Sequence, residues 1–425
     1  MKYSALSQQG RRTTPPPISW LMKTALAHPG LISLAAGFTD NATLPVRPAR
    51  KLLNEILATP QSGQPALQYG TTAGEPALRE LTATRLQQLD GLQDKAHAAD
   101  RVIITSGSQQ LLYMTMEALC DEGDIVLVED PTYFVFLGIL QSRGVRACGV
   151  KLERDGLSLA HLEAVLERLK KSGELARVKA LYLVSYFQNP TGATTSLAKK
   201  AAALKLLRSY ERAAGHPLYL LEDAAYRELR FAGQDIPSAL TLRGAADRVI
   251  YAGTYSKSFA TGARLGFGLL PEPLFSTVIN IKGNHDFGSA NLIQALLTRA
   301  LASDAYLQHI ARVRQGYARK AAIMQRALAE HFPADTEIWA PEGGLYFWVR
   351  LPAKIRTGVK SKFFQAALKN NVLYVPGSLC YADDSARPKL DHEMRLSFGG
   401  ASETALREGV ARLGATLRQL SSRKS

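Results

Sequence analysis

Between about residues 65 and 310, short β-branched and apolar runs alternate with helix-like segments, and run after run ends in a cluster of polar residues. Such alternation predicts an α/β fold with a mostly parallel sheet covered by helices. Ligands of such sheets bind in the crevice at the carboxyl ends of the strands, so the residues at those ends carry the functional information. Beyond about residue 310 a long amphipathic helix, Ala311 to Phe332, leads into further strands and helices. Ahead of the alternation lie a polar, proline-rich lead from Gln8 to Pro17 and a loop from Gln61 to Pro65.

The most telling strand end is Thr254-Tyr-Ser-Lys-Ser-Phe-Ala-Thr261, closed by Gly262-Ala-Arg264 and set between the apolar runs 248–253 and 265–270. It places Lys257 among hydroxyls, beside an arginine, on a loop between two core strands. That combination suits pyridoxal phosphate. Lys257 offers an amine to the aldehyde, Thr254 and Ser256 offer hydrogen bonds to the phosphate, and Arg264 offers a planar cationic fork. An isolated Ser-Lys-Ser is equally ordinary surface sequence, so the other strand ends have to agree.

The apolar run from His216 ends in Glu222-Asp223-Ala-Ala-Tyr226. Asp223 suits the task of keeping a pyridine nitrogen protonated, so that the ring accepts electrons; it is also good helix-capping chemistry. Glu222 should face the other way. The phenol of Tyr226 could bond the ring oxygen, or pack as a core aromatic. The run from Ala180 ends in Gln188-Asn189-Pro-Thr-Gly192, where Asn189 could donate to the same oxygen and where the sequence is also common turn chemistry. Finally, Arg101-Val-Ile-Ile-Thr-Ser-Gly107 leads into a helix with no acid in its first turn. The free amides at Gly107, Ser108 and Gln109 and the positive helix end make a phosphate cradle, although Ser108 could simply cap the helix.

Taken together, these segments resemble the aspartate-aminotransferase-fold superfamily, class I/II, and within it the kynurenine/2-aminoadipate aminotransferase branch. The resemblance covers nearly the whole chain. It includes Pro17-Ile-Ser19, Leu31 to Gly37, Leu67 to Gly74, Pro341 to Trp348, Val372 to Gly377 and Met394 to Phe398. It implies fold type I, with a large cofactor-binding domain over 65–310. A small α+β domain would be built from 311–425 and joined by 1–64. The family implies Lys257 as the lysine that binds the cofactor and shuttles the proton, with Asp223, Asn189 and Tyr226 around the ring. Ser108, Gln109, Thr254, Ser256 and Arg264 would surround the phosphate, and Tyr133 would lie on the ring face. Arg395 would grip the substrate α-carboxylate, Gly37 would line the substrate site, and Tyr69 would reach the phosphate of a partner subunit in a homodimer.

The implied activity is ping-pong transfer of an amino group from an L-amino acid to a 2-oxo acid such as 2-oxoglutarate. A lyase, decarboxylase or cyclase could run on the same site, because the pocket chooses which bond breaks. Two departures bear on specificity. Ala224-Ala225 replaces the Pro seen before the tyrosine in many relatives. Ser19, followed by Trp20, stands where relatives that take acidic side chains have arginine, which leans toward an aromatic or aliphatic donor. Other candidate specificity residues are Tyr113, Asn284, His285 and Phe287.

With 425 residues, 46% of them hydrophobic, the chain can bury a large core. Its three cysteines imply no disulfide framework and fit a reducing cytoplasm. The excess of 52 Lys+Arg over 37 Asp+Glu is spread over helix-like faces and the tail from Arg418, without aromatic-interleaved basic motifs, which argues against nucleic acid. A non-enzyme reading, a regulator that fuses this fold to a DNA-binding domain, is not expected, because the resemblance starts by about residue 17. Neither a signal peptide nor a membrane span is expected, and no metal site.

Overall fold

The computed structural model describes residues 5–28, 30–92 and 95–422. The first residues of the start, and the end of the basic tail, lie outside that range. The alternating runs form one eight-stranded sheet. In chain order its strands are β1 (Val102–Thr105), β2 (Ile125–Asp130), β3 (Arg146–Glu153), β4 (Gly156–Leu157), β5 (Val178–Val184), β6 (Tyr219–Asp223), β7 (Val249–Thr254) and β8 (Gly266–Leu269). They lie side by side in the order β1-β8-β7-β6-β5-β2-β3-β4.

The run β3-β2-β5-β6-β7 is parallel throughout, whereas β8 pairs antiparallel with both β7 and β1. The reversed strand starts two residues after Arg264, and its first residue, Gly266, pairs with Thr105 and Thr254 at the carboxyl ends of its neighbours. Every residue of β1, β2 and β6 is buried. Helices cover both faces, which is why these strands read as continuous apolar runs rather than alternating ones.

A second, antiparallel sheet is made by β9 (Glu337–Trp339), β10 (Tyr346–Arg350), β11 (Val375–Pro376) and β12 (Glu393–Ser397), in the order β9-β10-β12-β11. Ile32 and Ser33 pair in parallel with Val372 and Leu373, so the start of the chain is stitched to its last third. The long amphipathic helix runs Asp304–His331, starting seven residues earlier than its periodicity suggested, and packs on the terminal helix Glu403–Ser422.

Two segments differ from the sequence reading. Gln61 to Pro65 is not a loop but lies in the helix Pro60–Leu67. There the Thr59 hydroxyl accepts from the Ser62 amide, and the Ser62 hydroxyl accepts from the Thr59 amide, a capping box that outweighs the breakers Gly63 and Pro65. The polar lead also holds a short helix, Gln8–Arg12, capped by Ser7. Among the described residues no helix is long and apolar enough to cross a membrane, and no cluster of His, Cys, Asp or Glu could hold a metal.

Candidate active site

The carboxyl ends of β1, β2, β5, β6 and β7 open onto one cavity. Its floor includes Val184, Asp223 and Ala225, its walls Tyr133, Asn189 and Tyr226. Toward β1 and β7 it is lined by Gly107, Ser108 and Gln109, and by Thr254, Ser256, Lys257 and Arg264.

Lys257 sits in a single helical turn, Tyr255–Ser258, whose start is fixed by the Thr254 hydroxyl. That hydroxyl accepts from the Ser256 amide at 3.1 Å and donates to the Leu265 carbonyl at 3.1 Å. Thr254 thus caps the turn that carries Lys257 while it also lines the cavity beside Ser256 and Arg264. Ser256 is different, since its buried hydroxyl has no partner. The Lys257 ammonium donates to the Gly37 carbonyl at 2.7 Å. Burial first, then the positive charges of Arg395 and Arg264, bring the amine down to about 8.

The helix Ser108–Leu119 begins at Gly107, not at a capping Ser108, and no side chain caps its first amides. Gly107 has φ 80°, and a Cβ there would lie 2.9 Å from the Arg264 guanidinium, so both backbone and space require glycine. Arg264 itself adopts φ 48°. Uncapped amides, an orphaned buried hydroxyl and a guanidinium converge on one spot, and a phosphate fits that donor set.

Asp223 ends β6 and is buried. Its Oδ2 accepts from the Tyr182 phenol at 2.8 Å and its Oδ1 from the Ala225 amide at 3.1 Å. Burial pushes the carboxyl up to about 6, and these two donors act against that push. No helix follows, so the capping alternative reduces to the Ala225 turn, and Tyr226 precedes only a short 3-10 segment, Arg227–Leu229. Glu222 does face the other way, where Lys200 lies 2.7 Å from it.

Arg395 comes from β12 of the second sheet and is 1% exposed. One of its nitrogens donates to Asn189 Oδ1 at 2.7 Å and another to the Ala35 carbonyl at 2.5 Å. The first bond orients Asn189 with its amide nitrogen left as a donor. The guanidinium lies 4.2 Å over the ring of Tyr346, whose hydroxyl is 3.1 Å from that of Tyr226. The sequence reading passed over Tyr346 and Tyr182. Tyrosine is an ordinary core residue, and only the pairing of strands far apart in the chain reveals these contacts.

Tyr69 is not brought to this cavity. It is 82% exposed and meets the edge of Phe287 at 5.5 Å. Trp20 packs against Phe364, Tyr113 accepts a bond from Gln9, Asn284 donates to the Asn280 carbonyl, and His285 bonds Gln110. None of these four lines the cavity.

Residues 29–413 match the family described as aminotransferase class I and II. The chain is 32% identical over 395 residues to 2-aminoadipate transaminase of Thermus thermophilus, covering 92% of this chain and 91% of that one. It is 30% identical to aromatic-amino-acid aminotransferase 1 of Thermococcus litoralis, over 92% and 88% of the two chains. The structure superposes on kynurenine aminotransferase of Pyrococcus horikoshii with a TM-score of 0.88 and 31% identity, over 98% and 97% of the chains. The chain belongs to the class I and II aminotransferases of fold type I, enzymes that move amino groups with pyridoxal phosphate.

Proposed function

We propose that the enzyme takes its amino group from an L-amino acid with an aromatic or aliphatic side chain and delivers it to a 2-oxo acid such as 2-oxoglutarate. The observation that carries the α-amino-acid part is Arg395, a buried guanidinium held by Asn189 and stacked on Tyr346 within the same group of residues as Lys257. A planar cationic fork in that setting suits a carboxylate. The side-chain preference rests on the resemblance: Ser19, followed by Trp20 in the helix Pro17–Ala27, stands where relatives that take acidic side chains have arginine. Two relatives named for aromatic substrates and for kynurenine support the same choice.

Pyridoxal phosphate, when bound, supplies an aldehyde that takes up amino groups and a ring that accepts electrons. Ser108, Gln109, Thr254, Ser256 and Arg264 would hold its phosphate, and Tyr133 would lie against its ring. Asn189 and Tyr226 would donate toward the ring oxygen. Asp223 would keep a proton on the ring nitrogen. Lys257 would bond the aldehyde at rest and, once the donor amine has taken its place, would carry the substrate's α-proton on its Nζ. Arg395 fixes the carboxylate so that the α-proton points at Lys257, and Gly37 leaves room for the substrate.

The shared site also requires a second copy of the chain, with Tyr69 reaching the phosphate across a homodimer. The exposed Tyr69 and Phe287 pair suits such an interface. We further assign 65–310 to a large domain and 311–425, joined by 1–64, to a small one, and place the enzyme in the cytoplasm.

The test is a half-reaction titration of the holoenzyme with tryptophan, kynurenine, leucine, 2-aminoadipate and arginine, followed by visible absorbance. An aromatic or aliphatic donor should bleach the cofactor band and yield its 2-oxo acid, and 2-oxoglutarate should restore the band. Selective reaction with 2-aminoadipate would overturn the donor assignment, and carbon dioxide release would favour a decarboxylase.

A further inference from the structure

We propose that Tyr182 is a positioning residue for the reaction: its phenol, bonded to Asp223 Oδ2, keeps that carboxylate anionic and aimed, and so sets which partner holds the proton shared with the cofactor's ring nitrogen. This rests on the reading of Asp223 given above.

The geometry follows from the sheet. Tyr182 lies on β5 in register with Leu221 of β6, and Val184, two residues on, is in register with Asp223. Side chains two apart on a strand share a face, so Tyr182 lies beneath the same floor that Val184 and Asp223 line. From there it reaches Asp223 on the diagonal across the strand pair. Its ring is fixed by stacking on Phe136, with centroids 3.8 Å apart and planes within 20°. The residue is fully buried, and its bond to Asp223, at 2.8 Å, is side chain to side chain.

Chemistry makes this contact more than a satisfied phenol. A buried carboxylate in an apolar floor drifts toward its neutral form, and burial does push Asp223 upward. A carboxylic acid facing a pyridine and a carboxylate facing a pyridinium contain the same single proton. Donors to the carboxylate favour the second arrangement, the one in which the ring accepts electrons. Asp223 has Tyr182 and the Ala225 amide as such donors, and only the first is a side chain that can be changed. Glu129, at the end of β2, has its own donors in the Val184 amide and Gln188.

The experiment loads the full-length apoprotein with ring-15N-labelled pyridoxal phosphate and records the nitrogen resonance for wild type, Tyr182→Phe and Asp223→Asn at one pH. The expected result is a protonated ring nitrogen in wild type, with Tyr182→Phe moved toward the unprotonated position. An unchanged resonance in Tyr182→Phe beside a moved one in Asp223→Asn overturns the proposal and leaves the Asp223 reading intact. If Asp223→Asn does not move it either, the Asp223 reading fails and takes the proposal with it.

A second readout separates positioning from folding. Apoprotein affinity is measured for pyridoxal phosphate and for its deaza analogue, in which carbon replaces the ring nitrogen. Tyr182→Phe should weaken the first by about tenfold, the range for one hydrogen bond to a charged group, and leave the second nearly unchanged. Equal losses for both compounds would mean a merely structural tyrosine.

Discussion

Glu222 and Asp223 are consecutive residues of one strand, both buried, and they face two differently built regions. Behind the sheet, Glu222 meets Lys200, whose ammonium also bonds the Tyr186 phenol and the Pro237 carbonyl. The ring of Tyr186 lies under Lys200 and Arg227, and Arg227 meets Asp90, which in turn bonds His97 and Ser238. Cation answers anion at each step. In front of the sheet, Arg264 and Arg395 lie close enough to Lys257 to oppose its charge, the cavity lining holds one carboxylate, Asp223, and the Ser256 hydroxyl has no partner. The imbalance marks the region that expects an anion from outside. Charge alone does not distinguish function from structure here, but unanswered charge does.

The largest effect that would test this contrast is chemical. Lys257→Ala should lower kcat by at least about 10⁴-fold while the thermal unfolding midpoint stays within a few degrees of wild type. Retained turnover would remove Lys257 from the chemistry. The matching change behind the sheet is Arg227→Met, which leaves Asp90 buried without its guanidinium. It should cost about 3–5 kcal/mol in urea unfolding, with kcat of the folded fraction unaltered. If it instead abolished turnover without loss of stability, the two regions would not be separable.

Arg264→Lys sharpens the contrast within the front region. It keeps the charge and loses the fork, so apoprotein affinity for pyridoxal phosphate should fall by about 10- to 100-fold by equilibrium dialysis. An unchanged affinity would mean that Arg264 acts as a point charge. Smaller still is a pH effect on cofactor capture. The Lys257 amine reacts only when neutral, and its value in the folded chain lies below that of free lysine. It is charged below about 8 and neutral above, so the capture rate measured by stopped flow should rise through about pH 8. Arg395→Met removes a neighbouring positive charge and should move that midpoint upward. A wild-type midpoint near the value of free lysine would contradict the unanswered-charge view. The smallest effect is expected of Tyr346→Phe, which keeps the ring beneath Arg395 and removes one phenol contact, leaving kcat/KM within about tenfold of wild type.

Much of this arrangement was legible because strand ends in an α/β sheet are written in chain order. Gly107, Asn189, Asp223 and Lys257 each close an apolar run, and the sheet brings those closures to one edge. Tyr182 and Tyr346 were not legible, because their meaning depends on which strands become neighbours. The Thr254 hydroxyl was only half legible, because a cap and a phosphate donor demand the same side chain; its bond from the Ser256 amide needed the folded turn to be seen. The helix Pro60–Leu67 was read as a loop because Gly63 and Pro65 are stronger local signals than the Thr59 and Ser62 pair that overrides them.

Gly37 and Tyr346 have a consequence for how such an enzyme can diverge. A methyl group at position 37 would lie 2.6 Å from the Tyr346 hydroxyl, closer than any carbon tolerates. An alanine arising there first would be a lesion. Arising after phenylalanine has replaced Tyr346, it would meet a vacated space. The order of the two changes therefore matters more than either change, and descendants with a reshaped substrate floor must inherit the loss of the hydroxyl before the gain of the side chain.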